Sequence, residues 1–190
     1  MNMKNVDIIL ISFLTITTSC QFEKKKAENN FTQYVNSFIG TGGHGHTFPG
    51  ATMPFGMVQL SPDTRLDGWD GCSGYHYSDS VVYGFSHTHL SGTGVSDYGD
   101  VLLMPTTGEL RLNNGATRVV ENGYASRFDK ETEQAEPGFY NCYLLDYNID
   151  VALTTSLRAG IHKYQYNEDG ARHVVVDLKH RDQLISSSLK

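Results

Sequence analysis

Between residues 150 and 158 the side chains alternate without a break. Val151, Leu153, Thr155 and Leu157 fall on one side; Asp150, Ala152, Thr154, Ser156 and Arg158 fall on the other. A period of two is that of a β-strand with one buried face. The neighbouring segments read the same way. Residues 161–166 put His162, Tyr164 and Tyr166 on one face, and residues 173–178 (HVVVDL) have an apolar centre. Residues 108–112, 124–128 and 139–147 are further strand candidates, with Asn148 and Gly160 as tight turns and residues 167–170 as a longer one. The only helical suggestion is residues 129–134, with Asp129 as N-cap. Upstream, strands are predicted over residues 55–60 (stopped by Ser61-Pro62-Asp63), 81–89 and 101–104 (ended by Pro105), with residues 32–39 strand-like or extended. Many short strands with Gly and Asn turns predict an all-β chain, an antiparallel β-sandwich. Its 190 residues suffice for one domain with a core.

The loops between the upstream strands have a different texture. Residues 38–100 are dense in Gly and hold the single Trp, Trp69, and the pairs His44-Gly45-His46 and His87-Thr88-His89. A packed core does not need that composition; loops that hold side chains for a ligand do. Asp63, Arg65, Asp67 and Asp70 surround Trp69. An indole beside carboxylates and a guanidinium is a way to hold a sugar: the ring covers the C–H face and the charged groups meet the hydroxyls. The alternative is a core Trp among turn-forming Asp residues, but Gly68 and Gly71 place Trp69 on a loop. The His pairs make a zinc site from His44, His46, His87 and His89 conceivable; loop histidines bonded to backbone or ligand are the commoner outcome. The Asp spacing does not fit an EF-hand loop. Residues 91–94 (SGTG) lack the Lys of a phosphate-binding loop. They read as a turn drawing His87, His89 and Asp97 towards one pocket. Asp67, Asp70, Asp97 and Asp100 are acid and base candidates by type alone, and nothing selects a hydrolytic pair among them.

A net charge of −6 and the absence of a Lys/Arg patch exclude a nucleic-acid partner of the usual kind. Cys20, Cys72 and Cys142 are too few for a disulfide scaffold; Cys72 and Cys142 are either paired or two buried thiols. Residues 1–20 carry Lys4, an apolar run and Thr17-Thr18-Ser19-Cys20, which resembles a lipoprotein signal peptide with Cys20 as the lipidated residue. An ordinary secretory signal is the alternative. Either way export is expected, to the periplasm or outer membrane, with residues 21–30 as a tether.

Three runs carry a more specific resemblance: YVNSFIGTGGHGHTFPGATMPFGMVQLSPDTR, GWDGCSGYHYSD and YGFSHTHLSGTGVSDYGDVLLMP. They resemble the N-terminal domain of glycoside hydrolase family 92. The segment from YASRFDKETEQ to AGIHKYQY continues the likeness, which covers residues 31–190; Ser37 stands where Pro is frequent. The resemblance implies a supersandwich of the galactose-mutarotase kind packed on an (α/α)6 barrel, in an inverting, calcium-dependent exo-α-mannosidase. Such enzymes trim mannans and N-glycans in Bacteroidetes. It implies that the catalytic acid, base and calcium ligands come from the barrel, which this chain is expected to lack, as a truncated enzyme or one whose barrel is separately encoded, and that the sandwich supplies pocket loops. The expected contacts to an α-mannoside are Trp69, Arg65, Asp67, Asp70, His87 and His89. No catalytic residue, metal ligand or hydrolysis is expected of residues 1–190 alone. The competing expectations are a free-standing mannose-binding lipoprotein and a metal-binding module built on the His pairs.

Overall fold

The computed structural model describes residues 30–115, 123–181 and 183–188. The expected signal segment, Cys20 and the tether up to residue 29 lie outside them. Among the described residues eleven strands follow in order: β1 (Ala51–Thr52), β2 (Gln59–Asp63), β3 (Val81–Val82), β4 (Gly84–Ser86), β5 (Leu102–Thr107), β6 (Ser126–Arg127), β7 (Gln134–Glu136), β8 (Phe139–Leu144), β9 (Ile149–Thr155), β10 (Gly160–Tyr166) and β11 (Arg172–Asp177). The only helical pieces among the described residues are 3-10 turns at Phe31–Tyr34 and Trp69–Gly71. All strand pairs are antiparallel, in a five-stranded sheet of order β1-β2-β4-β5-β11, a four-stranded sheet β10-β9-β8-β7 and the small pair β3-β6. The all-β antiparallel sandwich is what the structure has.

The four-stranded sheet follows from the alternation read above. Ile149, Val151 and Leu153 of β9 are buried while Asp150 and Thr154 are exposed. Register continues the pattern across the sheet: Leu144, Ile149 and Tyr166 form one row, Cys142, Val151 and Tyr164 the next, and Tyr140, Leu153 and His162 a third. These rows meet Ala51, Leu60, Phe85, Leu102 and Met104 of the other sheet in one core. Each such aliphatic or aromatic side chain contributes about 1.5–3 kcal/mol by leaving water. Cys72 and Cys142 are free thiols, both buried.

A buried charged cluster fastens the Gly-rich loops to this scaffold. Glu133, whose side chain is 1% exposed, accepts hydrogen bonds from Tyr75 Oη (2.8 Å), Tyr140 Oη (2.7 Å) and Lys130 Nζ (2.9 Å). Tyr75 belongs to the loop after Trp69, so the contact spans both halves of the chain.

Several expected boundaries shift. Strand β2 begins at Gln59 and runs through Ser61-Pro62-Asp63, the residues expected to stop it. Strand β5 likewise runs through Pro105 to Thr107. β1 pairs only with Gln59 and Leu60, and β4 meets β5 only at Leu103, so each proline lies past the end of a neighbouring strand. There its missing N–H costs no ladder bond. The single strand expected over residues 81–89 divides at Tyr83, whose N–H donates to Asp63 O, so that β3 and β4 join different sheets. Residues 108–112 form no strand, and residues 31–34 make a 3-10 turn in place of an extended start. In β11 only Val175 is buried; Val174 and Val176 are 47% and 57% exposed. Residues 129–133 make turns, with Asp129 Oδ1 accepting from the Glu131 N–H, and β7 takes over at Gln134.

Candidate functional site: a Trp69 platform on three stitched loops

Trp69 opens the turn Trp69–Gly71 and is 62% exposed. Its ring meets the His46 imidazole edge-on, with centroids 4.9 Å apart at 75°. On another side it touches the Gly94 backbone: a Cβ there would lie 2.2 Å from Trp69 Cη2, so the loop reaches the indole only because residue 94 has no side chain. Three loops are sewn together around this ring. Gly92 N–H donates to His46 O (2.7 Å), Cys72 Sγ to Thr93 O (2.6 Å) and Ser73 Oγ to Thr47 O (3.1 Å).

Beside the indole, His44 Nδ1 lies 2.6 Å and His46 Nε2 3.7 Å from Asp70 Oδ1. The His44 contact holds the Asp70 carboxyl below its ordinary range. Asp67 is exposed. An exposed aromatic plane flanked by carboxylates and imidazoles offers a hydrocarbon face and hydrogen-bond acceptors in one place. Of the residues expected at the site, Trp69 and Asp70 lie together on this surface, and Asp67 is exposed two residues before the ring in the chain.

The others are placed differently. Arg65 makes a two-pronged ion pair with Asp79, Nε to Oδ2 at 3.0 Å and Nη2 to Oδ1 at 2.5 Å, with both side chains largely covered. His87 lies 2.6 Å from Val101 O through Nδ1 and 3.1 Å from His162 Nε2 through its own Nε2. His89 is turned inward: Nδ1 donates to Gln59 O (2.8 Å), and Nε2 lies 3.2 Å from Ser86 Oγ and 3.4 Å from Asp63 Oδ1. The His pairs therefore diverge onto Asp70, His162 and Asp63. Among the described residues no group of three or more His, Cys, Asp or Glu is placed to hold a metal ion.

Sequence reasoning missed what lies under the loops. Asp63 is fully buried at the end of β2, with Ser86 Oγ donating to Oδ2 at 2.5 Å. His180 Nε2 stands 3.5 Å and Arg181 Nη2 4.0 Å from Oδ1. Burial alone would raise the Asp63 carboxyl; His89 and His180 outweigh it and hold it far below the usual range. One available signal was the period of β2, which puts Ser61 and Asp63 on one face and Leu60 and Pro62 on the other. Nothing in the sequence pointed to His180 or Arg181.

Comparison with known proteins agrees with this placement of loops on a sandwich. Residues 34–190 match the family described as the glycosyl hydrolase family 92 N-terminal domain. A secreted glycosidase of Arthroderma benhamiae, itself uncharacterised, is 28% identical over 161 residues, 84% of this chain and 20% of that protein. Among solved structures the chain is similar to a family GH92 α-mannosidase from Bacteroides thetaiotaomicron in complex with mannoimidazole (TM-score 0.76, 42% identity, 78% of this chain and 20% of that one). It is also similar to a family GH92 inverting mannosidase from Bacteroides thetaiotaomicron VPI-5482 (TM-score 0.66, 30% identity, 77% and 19%). The chain thus spans about a fifth of the length of the relatives it matches. Fold, loops and family match agree: the chain belongs to glycoside hydrolase family 92, through that family's N-terminal domain.

Proposed function

We propose that residues 34–190 are the sugar-holding wall of an exported exo-α-mannosidase that acts with inversion on mannan or N-glycan termini. The observation that carries this is the exposed Trp69 indole with His46 against it and Asp70 beside that imidazole, on a chain of family 92. Solved relatives described as mannosidases, one an α-mannosidase with mannoimidazole bound and another described as inverting, support the substrate class and the stereochemistry. In this reading Trp69 stacks on the sugar ring and Asp70, with His44 and His46, receives hydroxyls. Arg65 and His89 serve from behind, by fixing loop shape. His87 lies at the margin, against His162. An inverting hydrolase needs a carboxylic acid and a carboxylate about 6.5–9.5 Å apart across the glycosidic bond. The proposal assigns that pair, and calcium with its ligands, to the greater part of an enzyme of the relatives' length. The description of one relative as secreted supports export, and a lipid on Cys20 would tether the enzyme to a membrane.

Calorimetric titration of the chain with methyl α-mannoside and with mannoimidazole tests the reading. Trp69→Ala is expected to abolish binding, because stacking supplies most of the contact a single wall can make. Undiminished affinity in Trp69→Ala would remove Trp69 from the site. The chain without a partner is expected to leave α-1,2-mannobiose intact with calcium present; turnover would overturn the assignment of acid and base.

A further inference from the structure

We propose that Arg181 is the positioning residue of the platform: one guanidinium fixes both the loop that carries Trp69 and the loop whose Gly94 touches its ring. The side chain is 8% exposed and lies underneath them. Nη1 donates to Leu66 O (3.3 Å) and to Ser96 Oγ; Nη2 donates to Arg65 O (2.7 Å) and Gly71 O (3.2 Å). Those three carbonyls bracket Trp69 in the chain. Ser96 follows Gly94, whose backbone touches the ring. The approach is close: a Cβ on Gly99 would lie 2.5 Å from Arg181 Cγ, so the loop passes over the arginine only because residue 99 is glycine. Asp63, 4.0 Å from Nη2, supplies the opposite charge from β2.

The chemistry explains why an arginine stands here. A guanidinium presents five N–H donors in a fixed plane and stays charged, so it can serve several carbonyls at once. A lysine has one nitrogen on a flexible stem and cannot reproduce the fork. The loops supply little regular secondary structure of their own, so their shape depends on such a centre. Arg181 stands more than a hundred residues after Trp69 in the chain, in the segment that follows β11. That the fixed object is a sugar platform rests on the function proposed above; that Arg181 fixes it does not.

Trp69 is the chain's single Trp, so its emission reports on this loop alone. The test measures fluorescence anisotropy decay of Trp69, and the affinity for methyl α-mannoside, in Arg181→Gln, Arg181→Lys and Ser96→Ala. Arg172→Gln is the control, since Arg172 stands apart on β11. Arg181→Gln is expected to raise the amplitude of fast ring motion about twofold and to weaken sugar binding by about tenfold. Arg181→Lys restores neither fully, and Ser96→Ala moves both in the same direction by less. Unchanged ring motion in a folded Arg181→Gln protein overturns the proposal. If that variant does not fold, unchanged motion in Ser96→Ala overturns it. Ring motion needs no sugar, so a mobile Trp69 in Arg181→Gln alongside a parent chain that binds no mannoside would sink the sugar reading and sustain the positioning role.

Discussion

The two regions of this molecule are held by different forces. The four-stranded sheet is a meander whose consecutive strands pair with full register, and its inner face is rows of Leu, Val, Ile, Tyr and Cys. The region up to Asp100 has strands of two to five residues. Its interior includes Thr41, Ser61, Asp63, Thr64, Ser73, Ser86 and His89. Hydrocarbon contacts are non-directional and tolerate small shifts. Buried polar contacts are directional; satisfied, they fix a loop in one shape, and unsatisfied they are expensive. Loops that hold Trp69 and Asp70 in one arrangement gain from the second kind of interior, at the cost of a fragile one.

Removing a core group from each region sharpens the contrast. Asp63→Ala leaves His89, His180 and Arg181 facing a hole and is expected to cost about 3–5 kcal/mol, with Trp69 emission altered in the folded protein. Leu153→Ala should cost about 2–5 kcal/mol and leave Trp69 emission native until the chain unfolds as a whole. Urea unfolding followed by circular dichroism and by fluorescence separates the two; coincident behaviour in both variants would erase the distinction.

The next effect lies on the seam. Burial first, and then the facing His87, lower the His162 imidazole to about 4. The unfolded chain titrates near the ordinary 6.5, so between about 4 and 6.5 the unfolded state binds the extra proton. The stability that goes with a neutral His162 is complete above pH 6.5 and is lost as pH falls towards 4, by up to about 3 kcal/mol. Unfolding midpoints measured at pH 7.5 and 4.5 should differ less in His162→Gln than in the parent chain. An equal pH dependence would remove His162 from the account. The smallest effect on stability is expected at Gly94. Gly94→Ala should change the unfolding free energy by less than about 1 kcal/mol, yet tilt the indole and weaken methyl α-mannoside binding by about tenfold. Native affinity in that variant would show that the Gly94 contact does not set the ring.

How much of this was legible follows the same division. The alternation over β9 and the faces of β8 and β10 are properties of neighbouring residues, and they predicted strands, sandwich and core. The exposed Trp69 was legible because Gly68 and Gly71 flank it. Pro62 and Pro105 read as stops because their tolerance depends on how far β1 and β4 extend, which is set elsewhere in the sheet. Arg65 and His89 read as ligand contacts because a charged or imidazole side chain on a Gly-rich loop looks alike whether it faces water or an unseen partner. Asp79 and Asp63, which occupy them, become neighbours only through the fold.

The pairing of β11 with β5, from Leu102↔Asp177 to Thr107↔Arg172, bears on the order in which the molecule assembles. The meander β7 to β10 closes through short loops and can form early, since nearby contacts carry little closure entropy. The five-stranded sheet waits for a strand about seventy residues further along to return to its edge. Only when β11 has docked does the chain bring His180 and Arg181 beneath the loops. In a polypeptide made from its N terminus, the loops around Trp69 are synthesised before the strand that sets them.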